Sequence, residues 1–96
     1  MWCTERNIEV KYRASAVDLN NFEEINTAKS TFIKEAFYDT NNNYFIIKLQ
    51  NTYYHYCNFP SDLWDDFKQA QSFGQYYTSN IKGKYDCEEN WIVPEY

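Results

Sequence analysis

Apolar and polar side chains alternate through residues 31–57. Thr31 to Tyr38 places Phe32, Lys34, Ala36 and Tyr38 on one side and Ile33, Glu35 and Phe37 on the other. Asp39-Thr40-Asn41-Asn42-Asn43 interrupts the pattern with residues that tolerate left-handed backbone and close Asx turns, the composition of a hairpin loop. Tyr44 to Leu49 resumes the period of two, with Phe45, Ile47 and Leu49 facing inward and Tyr44, Ile46 and Lys48 outward. Gln50-Asn51 turns the chain into Thr52 to Cys57, where Tyr54 and Tyr56 share one face and Tyr53, His55 and Cys57 the other. A three-stranded antiparallel meander is predicted. Upstream, Asn7 to Arg13 alternates too, with Ile8, Val10 and Tyr12 on one face, and reads as a half-buried or edge strand. Val17 to Ile25 fits either a short helical turn capped by Asp18 or an irregular segment pinned by Phe22.

The period lengthens after Pro60. Pro60 and Ser61 open a helix, and Ser61 or Asn58 is placed to cap its free amides. Asp62, Asp65 and Asp66 suit the positive end of the helix dipole. Leu63, Trp64, Phe67 and Ala70 fall on one stripe, which the inner face of the meander would receive. Gly74 is expected to end or break this helix. Gln75 to Lys82 then forms a second short helix, packed through Tyr76, Tyr77 and Ile81 and closed by Gly83. The fold class expected is α+β: an antiparallel three- to four-stranded meander packed by one main helix and a second short helix. It is read as one domain over 1–96, with an N-terminal strand extension over 1–28 and an acidic tail over 86–96, where Trp91, Ile92, Val93 and Tyr96 are apolar enough to dock.

Composition sharpens this in four respects. Ten Tyr, seven Phe and three Trp make 21% of the 96 residues aromatic, so large rings must supply most of so small a core. The net charge of -5 sits on the flanks. Residues 29–84 carry six bases against five acids, whereas Asp86, Glu88, Glu89 and Glu95 follow with no base. No basic stripe of the kind that tracks nucleic-acid phosphates is visible. A mean hydropathy of -0.79 leaves no room for a membrane span, and residues 1–20 hold no apolar leader. The odd set Cys3, Cys57 and Cys87, without a CxxC, points to reduced thiols in a cytoplasmic protein. In an exported chain Cys57 and Cys87 would be the pair to bridge.

Reactive groups are sparse. His55 and Cys57, two apart on one strand face, are badly placed for a Cys–His catalytic pair, and no third residue orients them. A metal held by His55, Cys57, Cys87 and Cys3 lacks zinc-module spacing, and an exposed His beside a packed Cys is the plainer reading. The three helix aspartates are better explained by the dipole than by acid–base work. No enzyme, metal or cofactor is therefore expected. Tyr54, Tyr56, Tyr76 and Tyr77 would serve either as a base-stacking platform or as core, the second reading being stronger for Tyr54 and Tyr56. Ser72, Gly74, Tyr77, Asn80 and Lys82 combine small, polar and basic groups around a helix break, where backbone amides would be open to an anion.

The order Ser30, Ile33, Tyr38-Asp39, Phe45-x-Ile47-x-Leu49, Tyr54-x-Tyr56, Pro60, Ala70-x-Ser72-x-Gly74-x-Tyr76-Tyr77 and Ile81-Lys82 resembles the KTSC domain. That family is a short bacterial module found alone or at the C-terminus of some lysyl-tRNA synthetases, and its central mark is the Y-x-Y pair. The resemblance covers residues 29–85. Many members carry Gly in the turn before Y-x-Y, where this chain has Gln50-Asn51. It implies a compact α+β domain and, for function, only a suggestion of RNA binding. The expectation is a non-enzymatic binding module that meets a nucleotide or short RNA through Tyr54, Tyr56, Ser72, Gly74, Tyr77, Asn80 and Lys82. The alternative is a protein-interaction or inhibitor module of phage or mobile-element origin, acting through its acidic surface.

Overall fold

The computed structural model describes residues 7–11, 16–28 and 30–87. Its centre is the expected meander: β4 (Ile33–Asp39), β5 (Tyr44–Leu49) and β6 (Thr52–Tyr56), all antiparallel. A fourth strand, β3 (Glu23–Glu24), completes the sheet in the order β3-β4-β5-β6. In the β4–β5 loop, Asp39 Oδ1 accepts from the Asn41 amide at 3.0 Å and Asn43 takes φ +51°. This is the local chemistry the Asn-rich run implies. In the next turn it is Gln50, at φ +59°, that adopts the left-handed backbone.

One face of the sheet receives the helices. α1 (Ser61–Lys68) lays Trp64 and Phe67 on Tyr38 and Phe45, and both helix residues are fully buried. Each ring buried to this degree contributes roughly 1.5–3 kcal/mol. The Trp64 indole N–H donates to Glu23 Oε1 at 3.0 Å, and so reaches the β3 edge. Tyr38 donates its hydroxyl to the Phe59 carbonyl at 2.6 Å, which fixes the entry to α1. A register shift between Ile33 and Glu35 returns Ile33 to the helix face beside Ala36 and Tyr38, against simple alternation.

The helical boundaries differ from those expected. Pro60 occupies the N-cap of α1, and neither Ser61 nor Asn58 supplies a side-chain cap. α1 stops at Lys68, well before Gly74. Ser72 explains this, because it starts a new helix: its backbone is extended and its Oγ accepts from the Gln75 amide at 3.3 Å. α2 (Phe73–Tyr76) runs directly into a wide π turn at Tyr77–Ile81, in which the Lys82 amide donates to the Tyr77 carbonyl at 2.9 Å. Gly74 thus lies inside the second helix. Gly83, at φ +75°, ends it as expected.

The other face is also covered. Tyr44 and Ile46, expected to face out, are fully buried with Phe37 beneath Val10, Val17 and Leu19. Of the N-terminal segment, Val10, Val17 and Leu19 cover this face, and only Glu23–Glu24 adds a strand to the sheet among the described residues. β1 (Asn7–Ile8) pairs only with β2 (Val17–Asp18) in a two-stranded ribbon, and Val10 makes a single parallel bridge to Tyr53. Tyr12 and Arg13, the remainder of that expected strand, lie outside the described residues. Of the two readings of 17–25, the capped turn holds: Leu19–Asn21 is a 3₁₀ turn whose Asn20 amide donates to Asp18 at 3.0 Å.

Candidate functional site

β6 is the last strand of the sheet, and its outer edge is occupied at both ends. The Lys11 amide donates to the Tyr53 carbonyl at 2.9 Å, and the Cys57 amide to the Tyr85 carbonyl at 2.8 Å beside an antiparallel bridge between Tyr56 and Asp86. Along this edge lies a cavity of about 210 Å³ lined by Tyr54, His55, Tyr56, Asp86 and Cys87. Cys57 and Cys87 are joined in a disulfide, with Cα atoms 4.8 Å apart. This corrects the expectation of reduced thiols. The Tyr56–Asp86 pairing brings together two cysteines 30 residues apart in sequence, and it consumes the sulfurs that a thiolate metal site would need. His55 is buried rather than exposed, and shares a 2.6 Å hydrogen bond between its Nδ1 and the Tyr44 hydroxyl.

Behind the cavity the hydroxyls of Tyr56 and Tyr77 meet at 2.5 Å, on residues 3% and 4% exposed. Burial is the largest influence on both phenols and pushes both above their ordinary range. The mutual hydrogen bond raises Tyr56 further and partly opposes the rise at Tyr77, while Asp86 and Tyr54 add to both. Both phenols therefore stay protonated at neutral pH and offer neither a phenolate base nor a nucleophile. Their rings are packed among Phe45 and Phe32, so they are core rather than a stacking platform. Tyr54 differs. It is half-buried, and the Lys11 ammonium stands 5.6 Å from its ring centroid. Tyr53, on the opposite face, donates its hydroxyl to Glu35 at 2.8 Å beneath Lys48.

The seven residues picked from the sequence divide among three places. Tyr54, Tyr56 and Tyr77 converge on the cavity and its rear wall. Ser72 and Gly74 lie at a second depression of about 320 Å³, rimmed by Ser30 to Phe32 and Gln71 to Phe73. There the Ser72 hydroxyl already accepts the Gln75 amide, so the open amide array expected at a helix break is not formed. Asn80 donates to the Tyr76 carbonyl at 3.3 Å and Lys82 is exposed beyond the π turn; neither lines either depression. A broader groove of about 660 Å³ runs from Glu24 to Lys34, where Thr27 donates its hydroxyl to the Lys34 carbonyl at 2.7 Å. Lys11, His55 and Asp86 are the site residues absent from the ligand set read from the sequence, and Cys87 was named there only as a bridge or metal partner. The paired cysteines were the one available signal.

The family model described as the KTSC domain matches residues 29–85. The match takes in β4 to the π turn, includes Tyr54, Tyr56 and Tyr77, and stops just short of Asp86 and Cys87. No curated protein and no solved structure matches the chain.

Proposed function

The chain belongs to the KTSC domain family, and from that premise we propose that it is a non-enzymatic binding module for a nucleotide or short RNA, met at the β6 edge around Tyr54. Membership carries the fold; the ligand reading rests on the site. The supporting observation is a half-buried aromatic ring with an ammonium 5.6 Å from its centroid, next to a cavity. A ring face and a neighbouring cation suit a stacked base and its phosphate. Absence of catalysis fits the two protonated, buried phenols and the bridged cysteines. With a net charge of -5, binding rests on stacking more than on phosphate neutralisation, and its salt dependence is shallow. Among the described residues no helix is long and apolar enough to cross a membrane. The setting proposed is the cytoplasm, where the Cys57–Cys87 bridge would be a reducible one rather than a permanent staple. Titration of intrinsic fluorescence with mononucleotides and oligonucleotides at low salt tests the reading. Quenching that disappears in Tyr54→Ala supports it, and a signal unchanged in both the oxidised and the reduced protein refutes it.

A second reading has its own observation. Phe32 is 41% exposed at the rim of the 320 Å³ depression, and Asp62, Asp65 and Asp66 are exposed on α1. An apolar knob and an acidic face suit a protein-interaction or inhibitor module of phage or mobile-element origin. Most of the acidic tail, 88–96, lies outside the described residues. The test removes 88–96 alone, because a cut at 86 would also remove the Cys87 bridge. Loss of a purified partner's binding on that truncation, or in Phe32→Ser, supports this reading; undiminished binding in both refutes it.

A further inference from the structure

We propose that the Cys57–Cys87 disulfide is a redox latch that keeps the ligand cavity narrow, and that a small dithiol or dithiol protein releases it. The inference rests on the binding reading above and adds its regulation.

The wall formed by Asp86 and Cys87 is an addition to the family core, which matches only through residue 85. Among the described residues, what holds that wall to β6 besides the disulfide is an isolated pairing of Tyr56 with Asp86, the Cys57 amide donating to Tyr85, the Tyr85 ring against Phe59 and the packing of Cys87 beside the core that contains Cys57. Cys57 is a buried member of the core opposite the helices and Cys87 packs against it, while the large rings and aliphatic side chains of both cores come from other residues. The bridge therefore fastens the segment ending at Cys87, and the strand pairing of the sheet does not depend on it. Cys57 is 7% exposed, whereas Cys87 is only partly buried and offers the more accessible sulfur.

With the bridge in place the cavity is also small for the proposed ligand. Sites for small molecules and cofactors usually measure about 300–1,000 Å³, against about 210 Å³ here. Its wall brings the Asp86 carboxylate to the rim, which repels phosphate. Releasing residues 86–87 enlarges the space beside Tyr54 and withdraws that charge. The reduced form is thus the one that accepts a nucleotide.

The chemistry balances as a thiol–disulfide exchange. One thiolate of the dithiol attacks the Cys87 sulfur, forming a mixed disulfide and expelling the Cys57 thiolate, which takes up a proton. The second thiolate of the reductant attacks its own sulfur in the mixed disulfide and releases Cys87, which is protonated in turn. Two electrons pass to the protein, and the dithiol leaves as a disulfide.

The test uses the full chain, oxidised and then treated with dithiothreitol, followed by amide exchange. Reduction is expected to speed exchange at the Cys57 amide and over residues 85–87 by about tenfold or more, leaving the Phe37 and Ile46 amides unchanged. The double variant Cys57→Ala/Cys87→Ser should show the fast pattern without reductant and no response to it. Unchanged exchange at Cys57 and 85–87, equal loss of protection at Phe37 and Ile46, or a reductant response persisting in the double variant each overturns the latch. Mononucleotide titration of the two redox states separates the linked claims. Tighter binding after reduction supports both. Binding in neither state removes the nucleotide reading while the exchange result stands, and equal binding in both removes the gate.

Discussion

Replacing the two hydroxyls that meet behind the cavity, singly and together, discriminates a structural pair from a ligand-facing one. Tyr56 and Tyr77 are 3% and 4% exposed and their oxygens are 2.5 Å apart, so each is the other's partner away from bulk water. Tyr56→Phe strands the Tyr77 hydroxyl, and Tyr77→Phe strands that of Tyr56. Leaving a buried polar group unpaired costs about 1–3 kcal/mol, whereas removing both partners from one site is nearly neutral. Each single variant should therefore lose about 1.5–2 kcal/mol, and the double variant about 0–1 kcal/mol. The coupling from the cycle is then about 2–4 kcal/mol, far above the error for independent sites. In a domain of this size each single change lowers Tm by roughly 6–15 °C, and the double change restores most of it. Urea unfolding of the four proteins measures the cycle. Additive losses, with the double variant as damaged as the sum of its parents, would show that the hydroxyls do not serve one another and would return Tyr56 to the list of ligand contacts.

Three other outcomes are expected. Tyr38 is pushed from 10.0 up to about 12 by burial, then by Asp39, Asp65 and Glu23, and burial also raises Tyr56, Tyr76 and Tyr77. The folded chain thus keeps protons that the unfolded chain surrenders, so stability is intact below about pH 10 and falls as pH rises through 10 to 12. Urea midpoints against pH, with tyrosinate absorbance, check this; full ionisation near 10 without loss of stability contradicts it. Gln50→Gly relieves a side chain held at φ +59° and should raise stability by about 0.5–1 kcal/mol, read as a higher melting temperature. Thr27→Val keeps the volume but removes the hydroxyl that donates to the Lys34 carbonyl at 2.7 Å, and should cost about 1–2 kcal/mol in the same urea assay.

The meander was legible because each strand alternates and each turn carries residues suited to positive φ. The second face was misjudged because alternation was read with only one side covered. Tyr44-Phe45-Ile46-Ile47 is an unbroken apolar run, the mark of a strand buried on both sides, and all four are at most 1% exposed. β1, β2 and β3 span two residues each, too short for any period to register, and the exposed pair Glu23–Glu24 offers no apolar side chain to signal a strand. The helix boundary was placed at Gly74 on conformational grounds, while the Ser72 cap, which sets it, has an equally plain signature in sequence. Of the candidate site, the tyrosines that share a strand face were found together, as strand geometry demands. Cys57 and Cys87 join across 30 residues by tertiary pairing, which no local pattern encodes.

Val10, Val17 and Leu19, which seal Phe37, Tyr44 and Ile46, all precede the first residue of the family match. A shortened protein beginning at 29 would keep α1 and its rings on the helix side, lose Ile25 and the Glu23 acceptor there, and leave the reverse of its central hairpin bare. Exposed apolar surface of that kind drives self-association. Any relative built only of the shared core must borrow a roof for that side, from a neighbouring domain or from a twin. The boundary at which sequence similarity fades is therefore not the boundary at which this molecule can be cut.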